Sequence, residues 1–481
     1  MIEFRKVSFR YGGTASPAIS QIDLHVSRGD YLLVAGPSGS GKSTLLRCMN
    51  GLVPHFYGGE MSGTVVVDGI DTRPSDIGRL SQIVGMVFQD PESQFVTTSV
   101  RSEMDFGQEN LGRSPEEIDR TTTYFAASFD LASILDRPPS EISGGEKQKA
   151  IVASVAAMGT QVLVLDEPTS QLDPHSALQM LALLRDLHRQ GYTIVLAEHR
   201  LSRVLKDATR AVVLESGRIV MDGEPGDLVK THADLVHLPQ STKKEGPRPG
   251  APIVEVRGLC FAYPGQGDAL SGIDLTIRGA ELLSIIARNG GGKSTLARIM
   301  AGLLGPYRGS IYLEGKEQRS LSRAELCRAV GIVFQDPNVH LFHDTVAEEV
   351  GFARANMGLG SVGLDDIFDA FGLTQLRDRN PRDLSGGQKE KVAIASVMSY
   401  GPRLLILDEP TRGLDLPEKA GIMRIVRSLI EDRGTTVLLL THDLEIVGAF
   451  SDRVAVLSQG RISYEGQPGE AMKRFSRELE P

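Results

Sequence analysis

The chain has 481 residues with 52 basic and 61 acidic side chains, a net charge of −9, and 41% hydrophobic residues. That composition supplies apolar surface for several cores, excludes a mainly disordered chain, and argues against a protein that lives on nucleic acid, whose phosphates demand a basic surface. The three cysteines, Cys48, Cys260 and Cys327, stand far apart in no metal-ligand spacing, which excludes a disulfide framework or a zinc site and points to a reducing compartment.

The opening IEFRKVSFRYGG alternates apolar and polar residues and predicts a strand. It has no apolar run after its charges, so no signal peptide is expected. The strand-like YLLVA then leads into Gly36, Pro37, Ser38, Gly39, Ser40, Gly41, Lys42, Ser43 and Thr44, which fit G-x-x-x-x-G-K-[ST], and a helical run follows. Glycines there let backbone N–H groups wrap phosphate oxygens, and the helix N-terminus adds partial positive charge. Lys42 is expected at the β- and γ-phosphates and Ser43 at Mg²⁺. PHFYGGEMSG (54–63) reads as a loop. VGMVFQDP places Gln89 after a strand, where its amide can reach a metal ion or water.

Ser143, Gly144, Gly145 and Glu146 precede an amphipathic helix. They read as a second anion site, against the plainer alternative of a helix cap. VLVLDEP is a buried strand ending in two carboxylates. Asp166 suits Mg²⁺, and Glu167 can polarise an attacking water beside a γ-phosphate. TIVLAE ends beside His199, placed to contact the same phosphate. No apolar stretch approaches the roughly 20 residues needed to cross a bilayer, so work at a membrane is expected to go through partners.

QSTKKEGPRPGAP (240–252), rich in Pro, Gly and charge, reads as a linker. Beyond it the order recurs. IVEVRGLCFAYPG opens like the N-terminus, followed by Ala287, Arg288, Asn289, Gly290, Gly291, Gly292, Lys293, Ser294 and Thr295. Gln335, then Ser385, Gly386, Gly387 and Gln388, then Asp408 and Glu409, then His442 complete the set. Lys42 to Lys293 is 251 positions, Gln89 to Gln335 is 246, Asp166 to Asp408 is 242 and His199 to His442 is 243. The chain is thus two copies of one α/β domain, 1–239 and 253–481, with largely parallel buried strands. The first copy's extra residues fall near 54–63. Ala287 stands where the first loop has Gly36, and its methyl is expected to narrow the loop or demand a different backbone. Each copy carries two phosphate-facing sites, more than one nucleotide needs. Two copies facing head to tail would let each SGG close the other copy's nucleotide.

These five motifs, each present twice and in order, resemble those of the ATP-binding cassette (ABC) ATPases. The resemblance implies a P-loop NTPase fold, ATP with Mg²⁺, and a helical subdomain in 90–141 that docks a membrane partner. It implies that Tyr11 and Tyr263 stack on adenine, and that 170–173 and 412–415 cross between paired cassettes. It also implies two unequal composite sites. One joins 36–44, Gln89, Asp166, Glu167 and His199 to Ser385, Gly386, Gly387 and Gln388. The other joins 287–295, Gln335, Asp408, Glu409 and His442 to Ser143, Gly144, Gly145 and Glu146. Gln89 and Gln335 join Ser43, Asp166, Ser294 and Asp408 as Mg²⁺-facing groups. Both departures from the family pattern, Ala287 and Glu146, fall on the second site, which is expected to hydrolyse more slowly.

Within the family, NGLVPHFYGGEMSGTVVVDG (50–69), FQDPESQFVTTSVRSEMDFG (88–107) and AEHRLSRVL (197–205) are similar to fused ATPases of energy-coupling factor importers. That resemblance implies a peripheral position on the cytoplasmic face of the cell membrane. The expected partners are an integral coupling protein and a small substrate-binding membrane protein, serving uptake of a vitamin, a precursor or a metal ion, with no nucleic acid involved. The rivals are a fused sugar-uptake ATPase and a twin-cassette ATPase acting on ribosomes or DNA. The acidic balance and short linker oppose the last.

Overall fold

The computed structural model describes residues 1–14, 16–170, 172–238, 250–265, 267–288 and 290–479. Asn289, Gln171 of the expected crossing loop and most of the expected linker lie outside them. The chain divides into two compact units, Met1–His237 and Leu238–Pro481.

In the first unit a six-stranded sheet runs in the order Arg218–Gly223, Arg210–Glu215, Tyr31–Ala35, Thr193–Ala197, Val162–Asp166, Val84–Val87. Its last five strands are parallel and the first is antiparallel. YLLVA, TIVLA and VLVLD are buried at every position, as continuous apolar runs are when both faces of a sheet are covered. Odd and even side chains go to opposite cores. Leu32, Val34 and Val164 pack under an antiparallel sheet made of Ile19–Val26, Ile2–Arg10, Glu60–Val67 and Ile70–Asp71. Leu33, Ala35 and Leu163 pack against the helical side with Met104, Phe129 and Leu184. The helices Val100–Asn110, Pro115–Ser128 and Gly144–Ala157 all fall between the edge strand Val84–Val87 and Val162–Asp166. Pro115–Ser128 opens on a capping box between Ser114 and Glu117, which satisfies two otherwise unpaired N–H groups.

The second unit repeats this plan. Its sheet runs Val330–Val333, Leu404–Asp408, Thr436–Thr441, Leu282–Ile286, Arg453–Ser458, Arg461–Gly466. Asp268–Arg278, Pro252–Ala262, Arg308–Leu313 and Lys316–Glu317 form its antiparallel sheet. The first unit's extra length lies in the connection from the helix Lys42–Met49 to the strand Glu60–Val67, where Phe56 is 73% exposed. No described helix is long and apolar enough to cross a membrane.

In both units the lysine loop, the glutamine, the Asp-Glu pair and the histidine lie at or just after the carboxyl ends of neighbouring parallel strands, where open α/β sheets gather ligands. Tyr11 and Tyr263 instead follow strands of the antiparallel sheets, and each SGG opens a helix. The sheet order therefore assembles segments that are far apart in the chain.

Candidate phosphate and hydrolysis sites

In the first unit the loop 36–41 joins the strand Tyr31–Ala35 to the helix Lys42–Met49. Gly41 caps that helix at φ 102°, as Gly292 does in the second unit at φ 97°, a conformation that favours glycine. Lys42 Nζ donates to the carbonyls of Gly36 at 2.9 Å and Pro37 at 3.0 Å. Lys293 Nζ donates to the Ala287 carbonyl at 2.9 Å and lies 3.6 Å from Glu409 Oε1. Burial pushes the Lys293 ammonium down from its ordinary range, against the pull of Glu409 and Asp408.

The two loops close differently at their first residue. Gly36 has φ +145°, and a Cβ there would collide with the Leu214 carbonyl and come within 2.8 Å of Ser40 Oγ. Ala287 does not take a positive φ. The fifth loop position is serine in the first copy and glycine in the second, and a Cβ added to Gly291 would stand 3.0 Å from the Ala287 methyl. One small side chain fills this space in each loop, supplied from opposite ends. The expectation that Ala287 demands a different backbone therefore matches the geometry, and the exchange of Ser40 for Gly291 shows how the room is found.

Asp166 and Asp408 end their strands and are 4% and 5% exposed. Each accepts a hydrogen bond from the adjacent hydroxyl, Ser43 or Ser294, and each keeps one buried oxygen, Oδ1, without a hydrogen-bond partner. Burial holds both carboxyls above their usual range despite the serine bonds. A buried carboxylate with an unsatisfied oxygen beside a hydroxyl is a fitting seat for a hard divalent cation, which would supply the missing charge. Ser43, Gln89 and Asp166 line one cleft of about 530 Å³.

Glu167 and Glu409 follow directly, both at positive φ, 52° and 54°. Glu167 is held from two sides. His199 Nε2 lies 2.6 Å from its Oε1, and the exposed Gln89 donates Nε2 to its Oε2 at 2.8 Å. Glu409 has a different set of neighbours. His442 Nδ1 lies 2.9 Å from Oε1, Thr441 Oγ1 donates to Oε2 at 3.2 Å, and Lys293 stands alongside. Burial would raise Glu409, but the bond to His442 and the charges of His442 and Lys293 outweigh it and hold the carboxyl low. Gln335 is exposed, and among the described residues no hydrogen bond joins it to Glu409.

The serines of the two SGG motifs are N-caps in capping boxes. Ser143, Gly144, Ser385 and Gly386 are exposed, so both helix N-termini face outward. Glu146 Oε2 accepts from both the N–H and the hydroxyl of Ser143 at 2.7 Å, and these bonds hold its carboxyl low. Gln388 accepts only the Ser385 N–H, at 3.0 Å. Tyr11 and Tyr263 each bond through the phenol to the lysine-loop helix, at Thr44 and Thr295, both at 3.1 Å. Arg288 is exposed.

The geometry also brings in residues that the motifs did not single out. Glu198 and Thr441, the residues before the two histidines, are buried at 2% and 0% and bonded within the sites. The signal was present in the repeat, where AEHR faces THD.

Residues 19–170 and 270–412 match the family described as ABC transporter. A protein of Methanosarcina mazei, provisionally named as an ABC transporter ATP-binding protein, is 36% identical over 100% of this chain and 97% of its own length. One of the same provisional name from Treponema denticola is 36% identical, with 100% of both chains covered. Among solved structures, a chain of a model of ribosome-bound archaeal Pelota and ABCE1 aligns at a TM-score of 0.70 and 21% identity, over 98% of this chain and 80% of that one. At that identity the likeness shows the fold alone.

Proposed function

The chain belongs to the ABC transporter family as an ATP-hydrolysing protein with two cassettes, and from that premise we propose that it is the ATPase subunit of an importer of small solutes. In this reading it works through separate integral membrane subunits, a coupling protein and a small substrate-binding protein, at the cytoplasmic face of the membrane. The observation that carries the hydrolytic part is the triad of lysine loop, strand-end Asp-Glu pair and glutamate-bound histidine, present in each unit. The energy-coupling factor assignment rests on the resemblance of 50–69, 88–107 and 197–205.

In each cassette the lysine and the loop backbone hold the phosphates, and the serine and aspartate would hold Mg²⁺. When bound, that ion neutralises charge on the transferred phosphoryl oxygens. Glu167, oriented by His199 and Gln89, is positioned to accept a proton from an attacking water, and Glu409 is positioned likewise by His442 and Thr441. ATP drives a conformational step only through different affinity for two states. Closure of each lysine loop by the other cassette's SGG, as the family resemblance implies, supplies that difference. We assign the slower hydrolysis to the site closed by Glu146. Its carboxylate occupies the Ser143 hydroxyl and would set like charge beside a γ-phosphate.

Purification of the chain with its membrane partners, followed by identification of the bound small molecule, tests the importer reading. Co-purification with ribosomes, or salt-sensitive pelleting on DNA, would favour the twin-cassette alternative instead. Membrane subunits of a sugar permease would favour the other.

A further inference from the structure

The strand Thr193–Ala197 is followed by Glu198, a carboxyl that is 2% exposed and has no part in the roles above. Burying a carboxyl is costly unless its oxygens are bonded. Both oxygens of Glu198 are bonded. Oε1 accepts from the hydroxyl and the N–H of Thr169 at 2.6 and 3.1 Å, and Oε2 accepts from the His199 N–H at 3.2 Å. Thr169 lies two residues after Glu167, in a turn where Ser170 donates both its N–H and its hydroxyl back to the Glu167 carbonyl. The contacts form a closed ring: Glu167 to Thr169 along the chain, Thr169 to Glu198, Glu198 to the backbone of His199, and His199 Nε2 to Glu167 at 2.6 Å.

Among the described residues the second cassette has no such ring. Thr441 takes the place of Glu198 and donates straight to Glu409 Oε2, while accepting the Asp443 N–H at 3.0 Å. There the hydroxyl meets the glutamate itself. In the first cassette the support acts one step removed, on the two backbones that carry glutamate and histidine.

We propose that Glu198 is a positioning residue for hydrolysis in the first cassette, clamping the turn after Glu167 to the backbone of His199. The proposal rests on the reading of Glu167 as the group that accepts the water proton. Steady-state ATP hydrolysis by the full chain, with melting temperature followed in parallel, tests it. Thr169→Val keeps the shape and loses the hydroxyl, and it lowers kcat roughly tenfold with the KM for ATP within about twofold of wild type. Thr169→Ser restores the hydroxyl and the rate. Thr411→Val, the matching change in the second cassette, leaves kcat near wild type. Glu198→Gln sets an amide N–H₂ against either the His199 N–H or the Thr169 donors and lowers kcat in the same way.

Wild-type kcat in both Thr169→Val and Glu198→Gln overturns the proposal. So does a loss that Thr169→Ser fails to restore, that tracks a fall in melting temperature, or that Thr411→Val reproduces. Glu167→Gln separates the two levels. If it keeps full turnover, the role of Glu167 falls and the clamp with it. If it is inactive while Thr169→Val is unimpaired, only the clamp falls.

Discussion

The two cassettes keep the same lysine, Asp-Glu pair and histidine and differ in what holds those residues in place. In the first, Glu167 is tied to His199 and to Gln89, and the short helix after Gln89 is tied by Glu92 to Lys147 of the SGG helix at 2.6 Å. In the second, Glu409 is tied to His442, Thr441 and Lys293. The first glutamate is thus linked toward the helical region and the second toward its own lysine loop. Reactive groups are constrained by the chemistry of the phosphate, whereas the groups that orient them need only reach the same geometry, by any bonds available.

The largest expected effect concerns a pair found only in the second cassette. Lys419 and Asp443 form a buried ion pair at 2.6 Å, with 4% and 7% exposure, where the first cassette has Ala177 and Arg200. Lys419→Ala leaves Asp443 buried without its cation and is expected to cost about 3–5 kcal/mol. Chemical unfolding followed by hydrogen exchange would place that loss in residues 238–481 and leave the first unit unchanged. Equal loss in both units would remove the contrast.

Next comes the asymmetry of hydrolysis. Glu167→Gln is expected to lower single-turnover ATPase by about 10²-fold or more, and Glu409→Gln by less, if the slower hydrolysis belongs to the second site as proposed. A larger loss from Glu409→Gln would reverse the assignment. Gly36→Ala should then distinguish the loops. At φ +145°, against the Leu214 carbonyl, a methyl is expected to cost about 1–3 kcal/mol and to weaken binding of an ATP analogue, while Ala287→Gly changes analogue binding little. Calorimetric binding to both variants measures this directly.

The smallest expected effect lies at Glu146. Glu146→Gln frees the Ser143 hydroxyl and should speed the slower site by a factor of about 3. The same change alters acid sensitivity. The Ser143 bonds lower the Glu146 pKa in the folded chain, so their contribution is present above the ordinary glutamate range and is lost as pH falls through the lowered value. Stability against pH in that acidic window should be flatter for the glutamine variant.

Much of this site was legible in the sequence because phosphate chemistry prescribes residue types at fixed spacing. The lysine loop, the Asp-Glu strand end and the histidine each sit at the end of an apolar run that reads as a strand, and the duplication separated them from chance. The supports were less legible. Glu198 reads only as a polar residue ending a strand, and its partner Thr169 is 29 positions away. Lys419 and Asp443, 24 positions apart, carry no local pattern that pairs them. The loop 54–63 was legible as extra length, but not the Arg47 guanidinium lying 4.4 Å over the Tyr57 ring, because such a contact depends on how the loop returns to the helix.

The exchange of Gly36 and Ser40 for Ala287 and Gly291 constrains how one loop can turn into the other. Two substitutions separate the forms at these positions, and they are not interchangeable in order. Adding the methyl first sets it against both the Ser40 hydroxyl and the Leu214 carbonyl, whereas removing the serine side chain first relieves only the former and leaves the backbone to move. A stepwise path between the duplicated loops is therefore less obstructed in one order than in the other, and in either order the methyl needs the backbone to leave its positive φ, so the effect of each step depends on the step before it. Grafting one loop onto the other cassette calls for moving both positions together with the backbone between them.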